Sequence, residues 1–312
     1  MTMKPIYPCL GALIGDTVGS VYEFDNIKTP DFQPLFDKQA NYTDDSIMTI
    51  AVADWLTHTD RSQAALEACL VDWAQHFPCP MGGYGGGFSR WLFAPQLLAD
   101  FREPGMTYSK SMERHPYNSW GNGSAMRASS CGWAAYSLKE AMDLGKRSAE
   151  ITHNHPKGIK GAQAVAVAIH LALKGESKEA IRDCIEHLCG YDLQHTCDEI
   201  RPTYNWEASC QGTVPPALIA FFDSHDFESA IRLAVSLGGD SDTLACITGG
   251  IAQAFYQEIP EAIIEEMRLR LPKEFWDIMA QLESIIFNIP KLMEYHLLLF
   301  VWYINPLLQI WG

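Results

Sequence analysis

Two short segments of this sequence place a pair of carboxylates and a hydroxyl where a helix is expected to begin. They are "YTDDSIMTIAVADWL", with Thr43, Asp44 and Asp45, and "GGDSDTLACI", with Asp240, Asp242 and Thr243. Asp and Thr are favoured N-cap residues, and acidic groups suit the positive end of the helix dipole. Carboxylate oxygens are also ligands for Mg²⁺ or Mn²⁺, and two such sets can hold a pair of ions.

The number of carboxylates bears on whether these segments cap helices or bind metal ions. A helix end needs one capping side chain, whereas each segment offers two acidic residues and a threonine. If the two segments meet in space, their like charges repel unless a cation lies between them. Short acidic patterns also recur by chance, so the sequence leaves helix capping and a metal site as two open interpretations.

A further acidic residue follows the first apolar run of the chain. Glu23 stands between Tyr22 and Phe24 in "GDTVGSVYEF". A carboxyl group flanked by aromatic rings can have a raised pKa and act as a general base, although a solvated surface glutamate is the simpler interpretation. Ahead of it, Gly15 and Gly19 allow the end of a helix to approach other backbone closely.

Two glycine-rich segments are candidates for binding a ligand. They read "MGGYGGGFSRW" and "NSWGNGSAMRASS", and neither contains the G-K-[ST] of a P-loop. The second segment is expected to enter a helix at Ser124, where free backbone N–H groups can hold a phosphate without a basic side chain. Ordinary glycine-rich turns remain the alternative for each segment taken alone.

Apolar residues recur at helical spacing along most of the chain, and the alternating patterns typical of strands are missing from it. We therefore predict a helical protein. The predicted helices are residues 8–20, 45–58, 62–76, 123–138, 158–174, 177–188, 214–223, 226–236, 243–257, 260–270 and 272–286. Longer irregular segments are expected at 25–42, 78–90, 100–122 and 190–213, and long loops of this kind often carry function.

The acidic composition restricts the classes of function. The chain has 312 residues, with 38 acidic against 23 basic residues and a formal net charge of -15. This balance argues against a protein that binds nucleic acid or an anionic membrane, and it suits a site that collects divalent cations. The nine cysteines include no C-x-x-C pair and no signal peptide is recognisable, which favours a reduced, cytoplasmic compartment.

The end of the chain differs from the rest. Residues 295–312, "YHLLLFVWYINPLLQIWG", are strongly apolar, but their longest unbroken run is far shorter than the roughly 20 residues that span a membrane, and Pro306 interrupts them. We predict no transmembrane segment. Docking onto the domain or onto a partner subunit is the simpler interpretation, because a peripheral membrane anchor would need a basic face. The predicted division is a domain at 1–289 and an apolar tail at 290–312.

Taken together, these motifs resemble the ADP-ribosylglycohydrolase family, which includes the dinitrogenase reductase-activating glycohydrolases. The matching segments follow the family's order between about residue 8 and about residue 287, and they are "GALIGDTVGSVYEF", "YTDDSIM", "GYGGGF", "SWGNGSAMR", "THNHPKGIKGA" and "LGGDSDTLACITGGIAQAFYQ". The resemblance implies an all-α fold, a single large multi-helix orthogonal bundle. This agrees with the helical pattern of the sequence.

The resemblance also implies roles for particular residues. The two acidic segments would hold a binuclear magnesium centre, with Mn²⁺ as a substitute, and the implied ligands are Thr43, Asp44, Asp45, Asp240, Asp242 and Thr243. The implied catalytic carboxylates are Glu23, on a mobile flap, Asp44 and Asp240. The glycine-rich segments would wrap the diphosphate and ribose, Trp120 would contact the adenine region, and His153 would lie near the adenosine side. The implied substrate-binding residues are Gly83, Tyr84, Gly85, Gly86, Gly87, Ser119, Trp120, Gly121, Asn122, Gly123 and His153.

The implied reaction is hydrolysis at the anomeric carbon of the distal ribose, which releases ADP-ribose from an ADP-ribosylated protein or small molecule. Arginine-directed members tend to carry an Asp in the segment that reads "MGGYGGG" here. Its absence favours an O-linked acceptor such as serine, while modified bases and free ADP-ribose derivatives stay open. Two other functions also fit the residues: another metal-dependent hydrolase of a nucleotide-like substrate, such as a phosphoesterase, and a non-catalytic ADP-ribose-binding protein.

Overall fold

The prediction of an all-α fold is confirmed. The structure is a computed structural model that describes residues 5–100 and 113–287, with side chains described at 5–93 and 113–287, and these ranges contain helices and no strand. The helices are α1 (Leu10–Gly19), α2 (Asp44–Thr57), α3 (Gln63–His76), α4 (Gly86–Asp100), α5 (Gly123–Met126), α6 (Ser129–Ala134), α7 (Leu138–Glu150), α8 (Pro156–Leu173), α9 (Lys178–Cys189), α10 (Cys197–Ile200), α11 (Cys210–Asp223), α12 (Phe227–Ser236), α13 (Ser241–Tyr256), α14 (Glu261–Arg270) and α15 (273–287).

Helices α1 and α13 pack backbone against backbone. A Cβ atom on Gly15 would lie 1.9 Å from the carbonyl oxygen of Ala245, and one on Gly19 would lie 2.4 Å from the carbonyl oxygen of Ser241. Real Cβ atoms do not approach backbone this closely, so only glycine fits at these positions. The contact brings the C-terminal end of α1 to the N-terminal end of α13.

Helix α13 lies at the centre of the bundle. It is buried from Ser241 through Ala254 and packs against α1, α8, α11 and α12. Helix α2 packs against α1 and α6, so that its first residues also reach the start of α13. The N-terminal ends of α2 and α13 are thereby held beside each other by the surrounding core.

The structure corrects the predicted helices around residue 130. The single helix predicted at 123–138 is two short helices, α5 and α6, and α7 follows where no helix was predicted. The start of α7 is marked by Ser137, whose side chain accepts a hydrogen bond from the Glu140 N–H. Its buried face consists of small residues and Leu144, so few large apolar residues mark this helix in the sequence.

Three further helices begin inside segments predicted to be irregular. Helix α4 begins within 78–90, and α10 lies within 190–213. Helix α11 begins at Cys210 rather than at 214, because the Ser209 side chain caps it by accepting a hydrogen bond from Gly212 N–H. Pro215 and Pro216 lie inside this helix.

None of the helices in the described ranges is long and apolar enough to cross a membrane. The tail predicted at 290–312 lies outside the described residues.

Candidate active site

A cavity of about 320 Å³ opens where the first residues of α2 and α13 meet two glycine-containing loops. Sixteen of the residues singled out in the sequence line it: Glu23, Asp44, Asp45, Gly83, Tyr84, Gly85, Gly86, Gly87, Ser119, Gly121, Asn122, Gly123, His153, Asp240, Asp242 and Thr243. Thr43 and Trp120 are not among the lining residues. Residues from six separate parts of the sequence are thus brought to one cavity.

At the start of α2, the threonine performs the capping. The Thr43 side chain is the N-cap and accepts a hydrogen bond from the Asp45 N–H. Its hydroxyl donates to Asp16 Oδ1 over 2.7 Å, and Thr43 is buried beside the cluster. Because capping needs one side chain, Asp44 and Asp45 are not used for it, and Asp45 Oδ2 is a buried oxygen without a hydrogen-bond partner among the described residues.

At the start of α13, the carboxylates do not cap the helix either. Asp240 occupies the N-cap position, but its side chain makes no capping hydrogen bond. Its Oδ2 instead accepts a hydrogen bond of 2.6 Å from Asn122 Nδ2, whose side chain also donates to Thr213. Asn122, which the sequence assigned to substrate binding, therefore lines the cavity while it orients Asp240.

The carboxylates form two groups that share one residue. Oxygen atoms of Asp16, Asp45 and Asp242 lie within 4.8 Å of one another, and so do oxygen atoms of Glu23, Asp240 and Asp242. Asp44 lines the same cavity. The two acidic segments therefore meet in space.

Burial and mutual repulsion raise the pKa of most of these groups. Burial raises the pKa of Asp16 to about 6, although hydrogen bonds from Ser46 and Thr43 oppose this effect. Burial, with the charges of Asp240 and Asp16, raises the pKa of Glu23 to about 7.

Burial and neighbouring charges raise the pKa of the other aspartates of the cluster as well. Burial first, and then the charges of neighbouring carboxylates, raise the pKa of Asp44, Asp45 and Asp242 well above the usual value for aspartate. Within the part of the chain that is described, no Lys, Arg or His forms an ion pair with any carboxylate of the cluster. Oxygen ligands in this arrangement fit divalent cations, which would supply the missing positive charge.

Asp16 was not singled out in the sequence, although its side chain is fully buried in this cluster. It accepts hydrogen bonds from the Thr43 N–H, the Thr43 hydroxyl, the Ser46 N–H and the Ser46 hydroxyl. The available signal was its position directly after Gly15, on the helix face that must approach α13. A charged residue on that face has to be paired or to bind a ligand.

The first glycine-rich loop lies against Glu23. Its Met81 pairs with Thr43 through an isolated parallel β-bridge. Gly82 has a φ of 74°, and a Cβ atom there would lie 3.1 Å from Glu23 Oε2. A side chain at position 82 would therefore be strained and would press on the Glu23 carboxylate. The loop leads into α4, whose first residues line the cavity.

The second loop is held by the segment before α11. The Asn122 N–H donates to the Ala208 carbonyl over 2.8 Å, and the Cys210 N–H donates to the Trp120 carbonyl over 2.9 Å. The Trp120 side chain is not among the lining residues and packs against His155, with ring centroids 5.4 Å apart. Two aromatic residues that the sequence analysis did not single out, Tyr117 and Trp206, line the cavity instead.

Comparison with known proteins identifies the class to which this fold and site belong. The sequence profile of the ADP-ribosylglycohydrolase family matches residues 8–290, and the chain belongs to this family. It is accordingly a hydrolase. The resemblance drawn from the motifs of the sequence is confirmed over nearly the whole chain.

Individual relatives agree with this assignment. ADP-ribosylhydrolase ARH3 from Bos taurus is 29% identical, and the alignment covers 81% of this chain and 86% of the relative. ADP-ribosylarginine hydrolase Tri1 from Pseudomonas putida (strain GB-1) is 26% identical, with coverage of 88% and 78%. A solved structure described as an ADP-ribosylglycohydrolase-related protein complex matches the fold with a TM-score of 0.62 at 23% identity, covering 90% of this chain and 97% of that one.

Proposed function

We propose that this hydrolase cleaves the glycosidic bond between the distal ribose of ADP-ribose and an acceptor, and that it uses two Mg²⁺ ions, for which Mn²⁺ can substitute. The observation that carries the proposal is the pair of carboxylate groups that share Asp242 at one cavity. The names of the relatives, an ADP-ribosylhydrolase and an ADP-ribosylarginine hydrolase, support the choice of ADP-ribosyl substrates.

The residues that would hold the two cations are those of the acidic cluster. The proposed ligands are Thr43, Asp44, Asp45, Asp240, Asp242 and Thr243. The orphaned Asp45 Oδ2 supports this assignment, because a buried carboxylate oxygen without a partner is costly unless a cation satisfies it. When bound, the cations would orient the hydroxyls of the distal ribose and stabilise negative charge during the reaction.

Glu23 is the proposed general base. It is half-buried beside Asp240 and Asp242, so its carboxylate lies at the proposed metal centre, where it can accept a proton from the attacking water. A water molecule would attack the anomeric carbon as the bond to the acceptor breaks. Glu23 would take one proton from that water, and this proton would then pass to the acceptor atom that leaves.

The rest of the cavity suits the nucleotide part of the substrate. The first residues of α4, a helix of 15 residues, line the cavity together with Gly85, and the first N–H groups of a helix have no partner within it. Such N–H groups can hold a diphosphate. Tyr117 and Trp206 offer aromatic faces for the adenine ring, and we propose these two residues in place of Trp120, whose side chain lies outside the lining.

For the acceptor, we propose an O-linked side chain such as serine. The segment "MGGYGGG", residues 81–87, contains no Asp, and the carboxylates that line the cavity belong to the proposed metal cluster or to Glu23. A guanidinium acceptor would therefore find no further carboxylate among the described lining residues to pair with it.

The test is a substrate panel. Peptides ADP-ribosylated on serine or on arginine, together with ADP-ribosylated guanosine, are incubated with Mg²⁺, and released ADP-ribose is measured with and without EDTA. We expect release from the serine substrate, loss of release in EDTA, and recovery after Mg²⁺ is restored. Asp240→Asn should abolish release.

The panel also separates the alternatives. Release from arginine but not serine would overturn the acceptor assignment alone. Liberation of inorganic phosphate or of AMP without ADP-ribose would point to a phosphoesterase. Tight binding of ADP-ribose without turnover of any substrate would point to a binding protein and would contradict the proposed activity.

A further inference from the structure

A buried arginine, Arg127, reaches the wall of the same cavity. It is 1% exposed and is the one arginine or lysine among the described lining residues. Burial lowers its pKa to about 10, so the guanidinium stays charged at neutral pH. No carboxylate in the described ranges lies within ion-pairing distance of it, and its Nε has no hydrogen-bond partner there.

The guanidinium holds the C-terminal end of α7. Arg127 Nη2 donates to the carbonyl oxygen of Ser148 over 2.7 Å and to Thr152 Oγ1 over 2.9 Å. Thr152 Oγ1 in turn lies 2.7 Å from His153 Nδ1. Arg127, Thr152 and His153 therefore form a chain of two hydrogen bonds that ends on an imidazole ring at the cavity.

The direction of the second hydrogen bond follows from the first. An arginine N–H can only donate, so the threonine oxygen is the acceptor of the bond from Arg127. The threonine hydroxyl has one hydrogen of its own. His153 Nδ1 is the one acceptor that the described structure provides for it. If Nδ1 carried the ring hydrogen instead, the buried Thr152 hydroxyl would be left as a donor without an acceptor, which is unfavourable.

The doubly protonated ring is disfavoured as well. His153 is 4% exposed, and burial, together with the charge of Arg127, lowers its pKa well below the usual value for histidine. Other titratable neighbours do not reverse this effect, since the facing Tyr117 ring, with its centroid 6.0 Å away, has its own pKa raised by burial and is neutral. The ring is therefore neutral, with its hydrogen on Nε2.

Nε2 faces the second glycine-containing loop. Cβ atoms built on Gly121 and Gly123 would lie 3.5 Å and 3.4 Å from it, and both glycines line the cavity. No partner for Nε2 occurs in the described part of the chain. The absence of side chains at 121 and 123 leaves this N–H accessible to a bound molecule.

We propose that Arg127 and Thr152 are positioning residues that fix His153 as a neutral hydrogen-bond donor at Nε2, and that this N–H donates to a diphosphate oxygen of the substrate. The ligand half of the proposal rests on the proposed function, whereas the tautomer does not. Arg127 also supplies the positive charge that favours an anionic group at this end of a cavity whose other charged lining residues are acidic.

The first test is made on the protein without ligand. Long-range ¹H–¹⁵N correlation spectra of protein labelled with ¹⁵N-histidine distinguish the two neutral tautomers and the imidazolium form. We expect His153 to be protonated at Nε2 alone at neutral pH, with the imidazolium form appearing only well below the usual pKa of histidine. Thr152→Val should produce a mixture of tautomers, and Thr152→Ser, which keeps the hydroxyl, should restore the wild-type spectrum. Arg127→Met should raise the pH at which His153 becomes protonated.

The second test measures affinity for ADP-ribose by calorimetry with the same variants. We expect Thr152→Val to weaken binding about tenfold, as loss of one oriented hydrogen bond does, and Thr152→Ser to bind as the wild type does. A wild-type ring protonated at Nδ1, or a Thr152→Val protein with unchanged tautomer and affinity, would overturn the proposal. If wild-type protein bound no ADP-ribose, the proposed function and the ligand contact would fail together, while the spectra would still decide the positioning roles.

Discussion

Thr43 and Asp16 are joined by two hydrogen bonds: the Thr43 N–H donates to Asp16 Oδ2 over 2.9 Å, and the Thr43 hydroxyl donates to Asp16 Oδ1 over 2.7 Å. Asp16 belongs to α1, which is fixed against α13 by close glycine contacts, and Thr43 caps α2. One carboxylate therefore sets the position of the start of α2 relative to α13.

Substitution of Gly15 by Ala should destabilise the protein and disperse the cluster. The new Cβ atom would collide with the Ala245 carbonyl. Alanine normally favours a helix, but overpacking against backbone outweighs this, and we expect a loss of about 3 kcal/mol in the free energy of unfolding. Urea denaturation measures it. Gly85→Ala is the control, because a Cβ atom there meets nothing within 4 Å, and the change should be within about 0.5 kcal/mol. Equal stabilities of the two variants would contradict the prediction.

Asp45→Asn should have opposite effects on the melting temperature, relative to the wild type, with and without cations. In EDTA, removing one of several repelling buried charges should raise the melting temperature. In Mg²⁺, the variant should lose the stabilisation that wild-type protein gains from the ion. Differential scanning calorimetry in the two buffers measures both effects. The exposed Asp25, changed to Asn, is the matched control and should behave as the wild type does. A wild-type melting temperature that does not respond to Mg²⁺ would contradict the proposed metal centre.

The stabilisation by Mg²⁺ should depend on pH. Asp16 and Glu23 have pKa values of about 6 and about 7 in the folded protein, above the ordinary values of 3.8 and 4.5. Between these values the folded protein without cations binds more protons than the unfolded chain, so its free energy of unfolding falls as the pH rises. Bound cations would stabilise the charged forms of these buried carboxylates and so oppose this fall. The rise in melting temperature on adding Mg²⁺ should thus be larger at about pH 8 than at about pH 5, and a pH-independent rise would argue against the raised pKa values.

Glu23→Gln should separate binding from turnover. Glutamine keeps the size of the side chain but cannot take a proton from water, so kcat should fall at least about 100-fold. Affinity for ADP-ribose should change little, because Glu23 lies with the carboxylates rather than beside His153. Steady-state kinetics on the serine substrate, with calorimetry for binding, provide the comparison. An unchanged kcat would exclude Glu23 as the base.

Two tryptophans provide a paired test of where the adenine lies. Trp206 lines the cavity, whereas Trp120 lies outside its lining, and the two are similarly exposed at 55% and 51%. Trp206→Ala should weaken ADP-ribose binding about tenfold, which is within the range for losing one base-stacking surface. Trp120→Ala should have little effect. The reverse order would restore the assignment made from the sequence.

The fold and the site of this protein can be predicted from the sequence to different extents. Helix α13 is predictable because it is a long, largely apolar run buried over most of its length, whereas α7 buries mostly small residues and α5 is a single turn. The paired acidic segments are recognisable because both carry their carboxylates in a few consecutive positions. Whether they meet depends on the approach of α1 to α13, which is a contact between residues more than two hundred positions apart.

Asp16 and Arg127 could not be assigned from the sequence for the same reason. Each is one charged residue within an otherwise apolar or small-residue run, and its function depends on partners that only the fold provides. Asp16 accepts hydrogen bonds from Thr43 and Ser46, and Arg127 donates one to Thr152. A buried charge without a local partner predicts that some partner exists, but it does not say which.

The glycine contact between α1 and α13 has a consequence for how the chain folds. The carboxylate cluster takes oxygens from Asp16 near one end of the domain and from Asp242 near the other, so it cannot form until about 240 residues have been synthesised. Closing so long a loop is among the slowest steps available to a chain of this size. Cation binding during refolding would then report the completion of the domain, and a nascent chain would expose its carboxylates singly rather than as a cluster.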